Sequence, residues 1–172
     1  MIKDAYLLID GYNVLNNWPE LSRLKDANLA HARDKMAHAL ANYAAFQGYL
    51  PVLVFDAYAV KGKAAKENHP GITVVFTGEG ETADSYIEKT AYGLLKDKKT
   101  VFVVTGDYNE QLIVMGMGAY RLTVSELIDD CCKVERLIME TSNPHPLTGR
   151  REIAGRLDDD LVARLENLRR SV

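Results

Sequence analysis

The sequence predicts an α/β protein, a parallel sheet of about five strands with helices on both faces, and three observations lead there. Its short apolar runs are nearly continuous rather than alternating, as expected of strands covered on both sides. Stretches of helical period separate these runs, which favours parallel pairing through helical crossovers. Acid-bearing turns follow the runs, as expected where strand ends share one edge.

The first run is Ala5–Asp10 (AYLLID). Leu29–Gln47 sets Ala32, Met36, Ala39, Leu40, Tyr43 and Ala44 at helical spacing and is closed by Gly48. Residues 51–56 (PVLVFD) read as the second strand, 60–68 as a basic, helical segment and 72–77 (ITVVFT) as the third strand. Residues 82–96 read as a helix with Tyr86, Ile87, Thr90 and Leu94 along one side. The fourth strand is 100–105 (TVFVVT), followed by a short helix at 108–115 and a small strand at 120–123. A helix over 125–136 takes its cap from Thr123 or Ser125. Residues 141–152 hold two prolines and a glycine and read as a linker. Beyond it, 157–170 carries Leu157, Leu161, Leu165 and Leu168 on one stripe, an amphipathic C-terminal helix. These readings divide the chain into a sheet domain at 1–136 and a linker with a C-terminal helix at 137–172.

Composition is that of a globular chain: 172 residues, 47% hydrophobic and 26% charged, with 12 Gly and 5 Pro. No apolar window approaches the ~18 residues of a membrane span, and no signal-peptide pattern precedes the first strand, so a soluble, unprocessed protein is expected. The only two cysteines are adjacent, Cys131 and Cys132, a spacing that excludes an ordinary disulfide between them and suits a reducing, cytoplasmic setting. Net charge is −3, which argues against coating nucleic acid by bulk positive charge. The acid excess sits early: residues 1–132 carry 13 basic and 17 acidic groups, the remainder 8 and 7.

Asp10 closes the first strand, Asp56 the second, and Asp107 lies two residues past the fourth. The loop after the third strand adds Glu79, Glu81 and Asp84. In a parallel sheet these acids converge on one edge, and carboxylates so crowded call for a cation among them. Oxygen ligands without nearby His or Cys select Mg²⁺ or Mn²⁺. Beside a phosphate ester, such an ion supports metal-assisted hydrolysis. Each acid also has a plainer reading: Asp107 as a helix cap, Asp56 as a turn or cap acceptor, Glu81 as a favourable charge at a helix start. Asn13, three residues after Asp10, can donate to a phosphate or hold Asp10 in an Asx turn. Thr105 can orient a carboxylate. Lys61, Lys63 and Lys66 read as phosphate contacts or as a solvated face, while Tyr12, Trp18 and Tyr58 are candidates to stack on unpaired bases, with core packing an equal reading for Trp18. Arg150 and Arg151 read as an ordinary exposed turn or, alternatively, as a contact to ribosomal RNA.

Several blocks then match in order: Leu7-Leu8-Ile9-Asp10-Gly11-Tyr12-Asn13, Trp18-Pro19-Glu20-Leu21, Ala32-Arg33-Asp34, Val54-Phe55-Asp56-Ala57, Gly80-Glu81-Thr82-Ala83-Asp84 and Thr105-Gly106-Asp107. Over about residues 5–130 the chain resembles the YacP-like branch of NYN-domain ribonucleases. The resemblance implies a PIN-like fold with the first and fourth strands adjacent. It further implies a Mg²⁺- or Mn²⁺-dependent endoribonuclease cleaving mRNA in association with the ribosome, with no membrane partner. By motif position it makes Asp10, Asp84 and Asp107 metal-binding and catalytic acids, with Asn13 beside them, Asp56 as a possible fourth acid, and Gly106 where the family commonly has serine. The rival reading is a PIN-like module that binds RNA or the ribosome without turnover.

Overall fold

A computed structural model of the protein describes residues 5–56 and 65–142. The Lys61, Lys63, Tyr58, Arg150 and Arg151 expectations, the C-terminal helix at 157–170 and most of the linker at 141–152 lie outside the described residues.

The chain runs β1 (Ala5–Asp10), α1 (Gly11–Asn17), α2 (Pro19–Ala27), α3 (Leu29–Gln47), β2 (Tyr49–Phe55), β3 (Ala65–His69), β4 (Ile72–Phe76), α4 (Ala83–Lys96), β5 (Val101–Val104), α5 (Tyr108–Gly116), β6 (Tyr120–Leu122) and α6 (Val124–Ser142). Six strands form one sheet in the order β3-β4-β2-β1-β5-β6. All pairings are parallel except β3 with β4. The first and fourth runs of the sequence reading, β1 and β5, are neighbours as expected.

Two differences from the sequence reading concern β3 and the segment after β1. Ala65–His69 forms an edge strand rather than a helix, leaving six strands with one antiparallel. Its residues AKENH are mostly exposed, so it carries neither the apolar run of a buried strand nor a turn-by-turn stripe. Residues 11–27 form two helices where only a turn after Asp10 was legible. Asp10 caps α1, accepting from the Asn13 backbone N–H at Oδ1, and Pro19 occupies the first turn of α2, where its missing N–H costs no hydrogen bond.

The other boundaries follow ordinary capping chemistry. Asn28 caps α3 by accepting from His31 N–H, and Gly48 ends it at φ 79°, a left-handed conformation that suits glycine. Thr123 and Glu126 exchange hydrogen bonds at the start of α6, a capping box. The α6 helix continues through residue 136 to Ser142. Pro51 is tolerated in a central strand because it lies ahead of the β2–β4 pairing, which begins at Val52.

The sheet separates two apolar layers. One packs Ile9, Leu40, Leu53 and Phe55 with α1, α2, α3 and α6; the other packs Leu8, Val54, Val75 and Val103 against α4 and α5. Alternate residues of each strand thus enter opposite layers, which is why the runs read as continuously apolar.

Candidate active site

Three acids meet at the carboxyl edge of the sheet. Asp10, Asp84 and Glu110 each bring a carboxylate oxygen within 4.8 Å of the others. Asp10 ends β1, Asp84 lies in the first turn of α4, and Glu110 lies in the first turn of α5.

Each is held there by backbone chemistry nearby. Asp56, the residue after β2, accepts from the Ala83 N–H through Oδ1 at 2.6 Å and so ties the start of α4 to the edge, one residue from Asp84. Thr82 caps the same helix by accepting from Ser85 N–H. Asp107 caps α5: its Oδ1 accepts from the N–H groups of Asn109 at 2.8 Å and Glu110 at 3.3 Å. Its own N–H donates to Thr105 Oγ1, and Thr105 is fully buried. Thr105 therefore orients the turn that carries Asp107 and Glu110.

Glu110 is the residue the sequence reading missed. It is only 2% exposed, and neither carboxylate oxygen has a hydrogen-bond partner among the described residues. Thr105 and Asp84 lie near enough to influence its charge without satisfying either oxygen. Burial, reinforced by the charges of Asp84 and Asp10, pushes the Glu110 carboxyl up to about 8. Burial likewise raises Asp10 to about 6, with Asp84 and Asp56 adding repulsion and the Asn13 N–H opposing it. No lysine, arginine or histidine pairs with these three acids among the described residues. An orphaned, buried carboxylate aimed at two others leaves a set of hard oxygen donors that fits Mg²⁺ or Mn²⁺.

The remaining sequence candidates take other places. Asp107 is exposed and engaged as a cap, Asp56 holds α4, and Glu81 sits in the loop before α4 with its N–H on the Gly78 carbonyl; none of the three joins the acid group. Asn13 lies beside the group. Its side-chain oxygen accepts from Asn17, and a Cβ built on Gly106 would fall 2.4 Å from that oxygen. The glycine at 106 thus gives the Asn13 amide its room. Tyr12 is half-buried with its ring 5.0 Å from that of Phe55. Trp18 is 5% exposed within the core, which corrects its candidacy as a stacking platform for RNA: an indole enclosed by apolar neighbours offers no free face to a base. Lys66 is exposed on edge strand β3, paired with Val75, and its contact with phosphate stays an expectation.

A mostly parallel sheet whose carboxyl edge gathers acids at the ends of β1 and the starts of α4 and α5 defines a PIN-like, nuclease-type protein. The family comparison is specific: the chain belongs to the YacP-like NYN domain family, whose model matches residues 7–170. That match runs well beyond the 5–130 span of the sequence resemblance and includes the tail. YacP of Bacillus subtilis (strain 168) is 40% identical over 132 residues, covering 77% of this chain and 78% of that protein. The crystal structure of Rae1 (YacP) from Bacillus subtilis aligns with a TM-score of 0.69 at 39% identity, covering 80% of this chain and 79% of that one. A single-residue variant of the same protein aligns at 0.68 and 35% identity, covering 83% and 86%. No helix of the described residues is long and apolar enough to cross a membrane.

Proposed function

We propose that the protein is a divalent-metal-dependent endoribonuclease that cleaves single-stranded mRNA in the cytoplasm, in association with the ribosome. The observation that carries this reading is the convergence of Asp10, Asp84 and the buried, unpartnered Glu110 on one small volume. Membership of a nuclease-type family supports the reaction class. The resemblance to the YacP-like branch supports the mRNA substrate and the ribosome as partner.

Asp10, Asp84 and Glu110 would hold a Mg²⁺ or Mn²⁺ ion. When bound, that ion would supply charge neutralisation at the phosphate and a water of lowered pKa. The protein's own residues do the rest. Asp56 and Asp107 fix the two helix starts that carry Asp84 and Glu110, so the acids are preorganised before RNA arrives. Asn13, whose backbone N–H donates to Asp10 and whose side chain lies against Gly106, would orient the substrate phosphate. Lys61, Lys63 and Lys66 would guide the strand past the acids by phosphate contacts.

The test is to incubate the purified protein with mRNA, with and without translating ribosomes, in Mn²⁺ or in a chelator. Internal cleavage that needs the metal supports the reading, and enhancement on ribosomes supports the partner. RNA binding without any cleavage under all four conditions favours the non-catalytic module.

A further inference from the structure

We infer that the pocket around Arg33 binds one splayed-out base of the RNA strand, with guanine as the matched base; this rests on the nuclease reading above and names how that site would select its substrate. The pocket holds about 190 Å³ between α3 and one face of β2, β3 and β4, and its lining includes Arg33, Asp34, Phe55, Glu67, His69 and Phe76. That is room for about six waters at ~30 Å³ each, or for one flat ring system.

The Arg33 guanidinium lies over two rings, 5.7 Å from the centroid of Phe55 and 5.2 Å from that of Phe76. The rings themselves are stacked, 5.6 Å apart and 19° from parallel. These contacts hold the planar guanidinium in place. Its NH1 is buried and has no hydrogen-bond partner among the described residues, so a fixed donor is left for an acceptor.

The charge of the lining decides between a phosphate and a base. Arg33 contributes one positive charge, while Asp34 and Glu67 contribute two carboxylates, of which Glu67 is within 3.3 Å of His69. With His69 neutral, an anion entering this pocket would meet net negative charge from the described lining residues. A neutral ligand with both donor and acceptor edges satisfies Arg33 and the Glu67 carboxylate, leaving the exposed Asp34 to solvent. Unpaired RNA bases are recognised in this way, on aromatic or guanidinium planes with hydrogen bonds along their edges. Guanine offers adjacent N–H donors on one edge for a carboxylate and O6 and N7 on the other for an arginine.

The pocket is also placed to act on the same strand as the acids. The Phe55 ring lies against Gly11, the residue after Asp10, where a Cβ would fall 2.5 Å from the ring. Asp56, next to Phe55, anchors the helix that carries Asp84. A strand crossing the carboxyl edge with one phosphate at the acids can therefore drop a neighbouring base over the end of β2.

The experiment is an NMR titration of the full chain in EDTA, where metal-dependent cleavage cannot run, with the pentaribonucleotides UUGUU, UUAUU, UUCUU and UUUUU. The inference predicts that UUGUU shifts the Arg33 side-chain, Phe55 and His69 signals at roughly tenfold lower concentration than the others. Glu67→Gln, on an exposed edge strand, should erase that preference with the fold retained. Arg33→Met, which keeps apolar contact with the rings, should do the same. Equal titration by all four RNAs, the same shifts from inorganic phosphate alone, or a preference that survives Glu67→Gln would overturn it. Since the readout involves no cleavage, a protein that selects guanine yet never cuts RNA sinks only the nuclease reading. One that cuts with metal but shows no base preference sinks only this inference.

Discussion

Replacing Glu110 by Gln isolates the electrostatic character of the acid centre. In the folded protein Glu110 titrates at about 8, against an ordinary 4.5, because its carboxyl is buried beside Asp84 and Asp10. Between those two values the folded state keeps a proton that the unfolded chain has released, so stability falls as pH rises through this window and levels off above it. At about 1.4 kcal/mol per unit, the full effect is roughly 3–5 kcal/mol. For a domain of this size that corresponds to a fall in Tm on the order of 10 °C. The assay is thermal unfolding in EDTA from about pH 5 to about pH 9, read as the difference between wild type and Glu110→Gln so that titrating groups away from the acid centre cancel. Wild type should lose stability relative to the variant as pH rises. Added Mn²⁺ should stabilise wild type most at the alkaline end, where no proton must be displaced, and should leave the variant much less affected. Parallel pH profiles for the two proteins would refute the claim that Glu110 is a buried, unpaired acid.

Gly11→Ala should destabilise the fold by roughly 1–3 kcal/mol, because the new methyl meets the buried Phe55 ring; chemical denaturation measures this. Asp107→Ser should retain most RNA cleavage and Asp107→Ala should lose stability by about 1 kcal/mol, since serine also caps helices; equal loss of cleavage in both would make Asp107 a metal ligand rather than a positioning residue. Cleavage products should carry 5′-phosphate and 3′-hydroxyl ends, as water rather than the ribose supplies the attacking oxygen, and end-group analysis that finds 2′,3′-cyclic phosphates would contradict this.

The sheet was legible because strands covered on both faces need apolar residues at every position, as in Leu7-Leu8-Ile9 and Val103-Val104. β3 was hidden because an exposed antiparallel edge strand such as AKENH needs no such run. Asp10 and Asp84 could be placed from the chain alone: strand ends share an edge in a parallel sheet, and the turn before α4 leaves that edge. Glu110 could not, because an acid three residues after a helix cap is the usual partner in a capping box and invites no further question. The available signal was its spacing from Val114, the other buried residue of α5, which puts a carboxylate on the helix's inward face. For Trp18 the sequence left core packing and base stacking both open, and the two unforeseen helices enclose it in the core.

Calorimetric titration of the purified protein with Mn²⁺, alongside Asp84→Asn and Glu110→Gln, puts the acid centre to its most direct trial. A saturable site in wild type that both substitutions abolish is the expected result. Unaltered manganese affinity in either well-folded variant would mean that these carboxylates do not hold the ion.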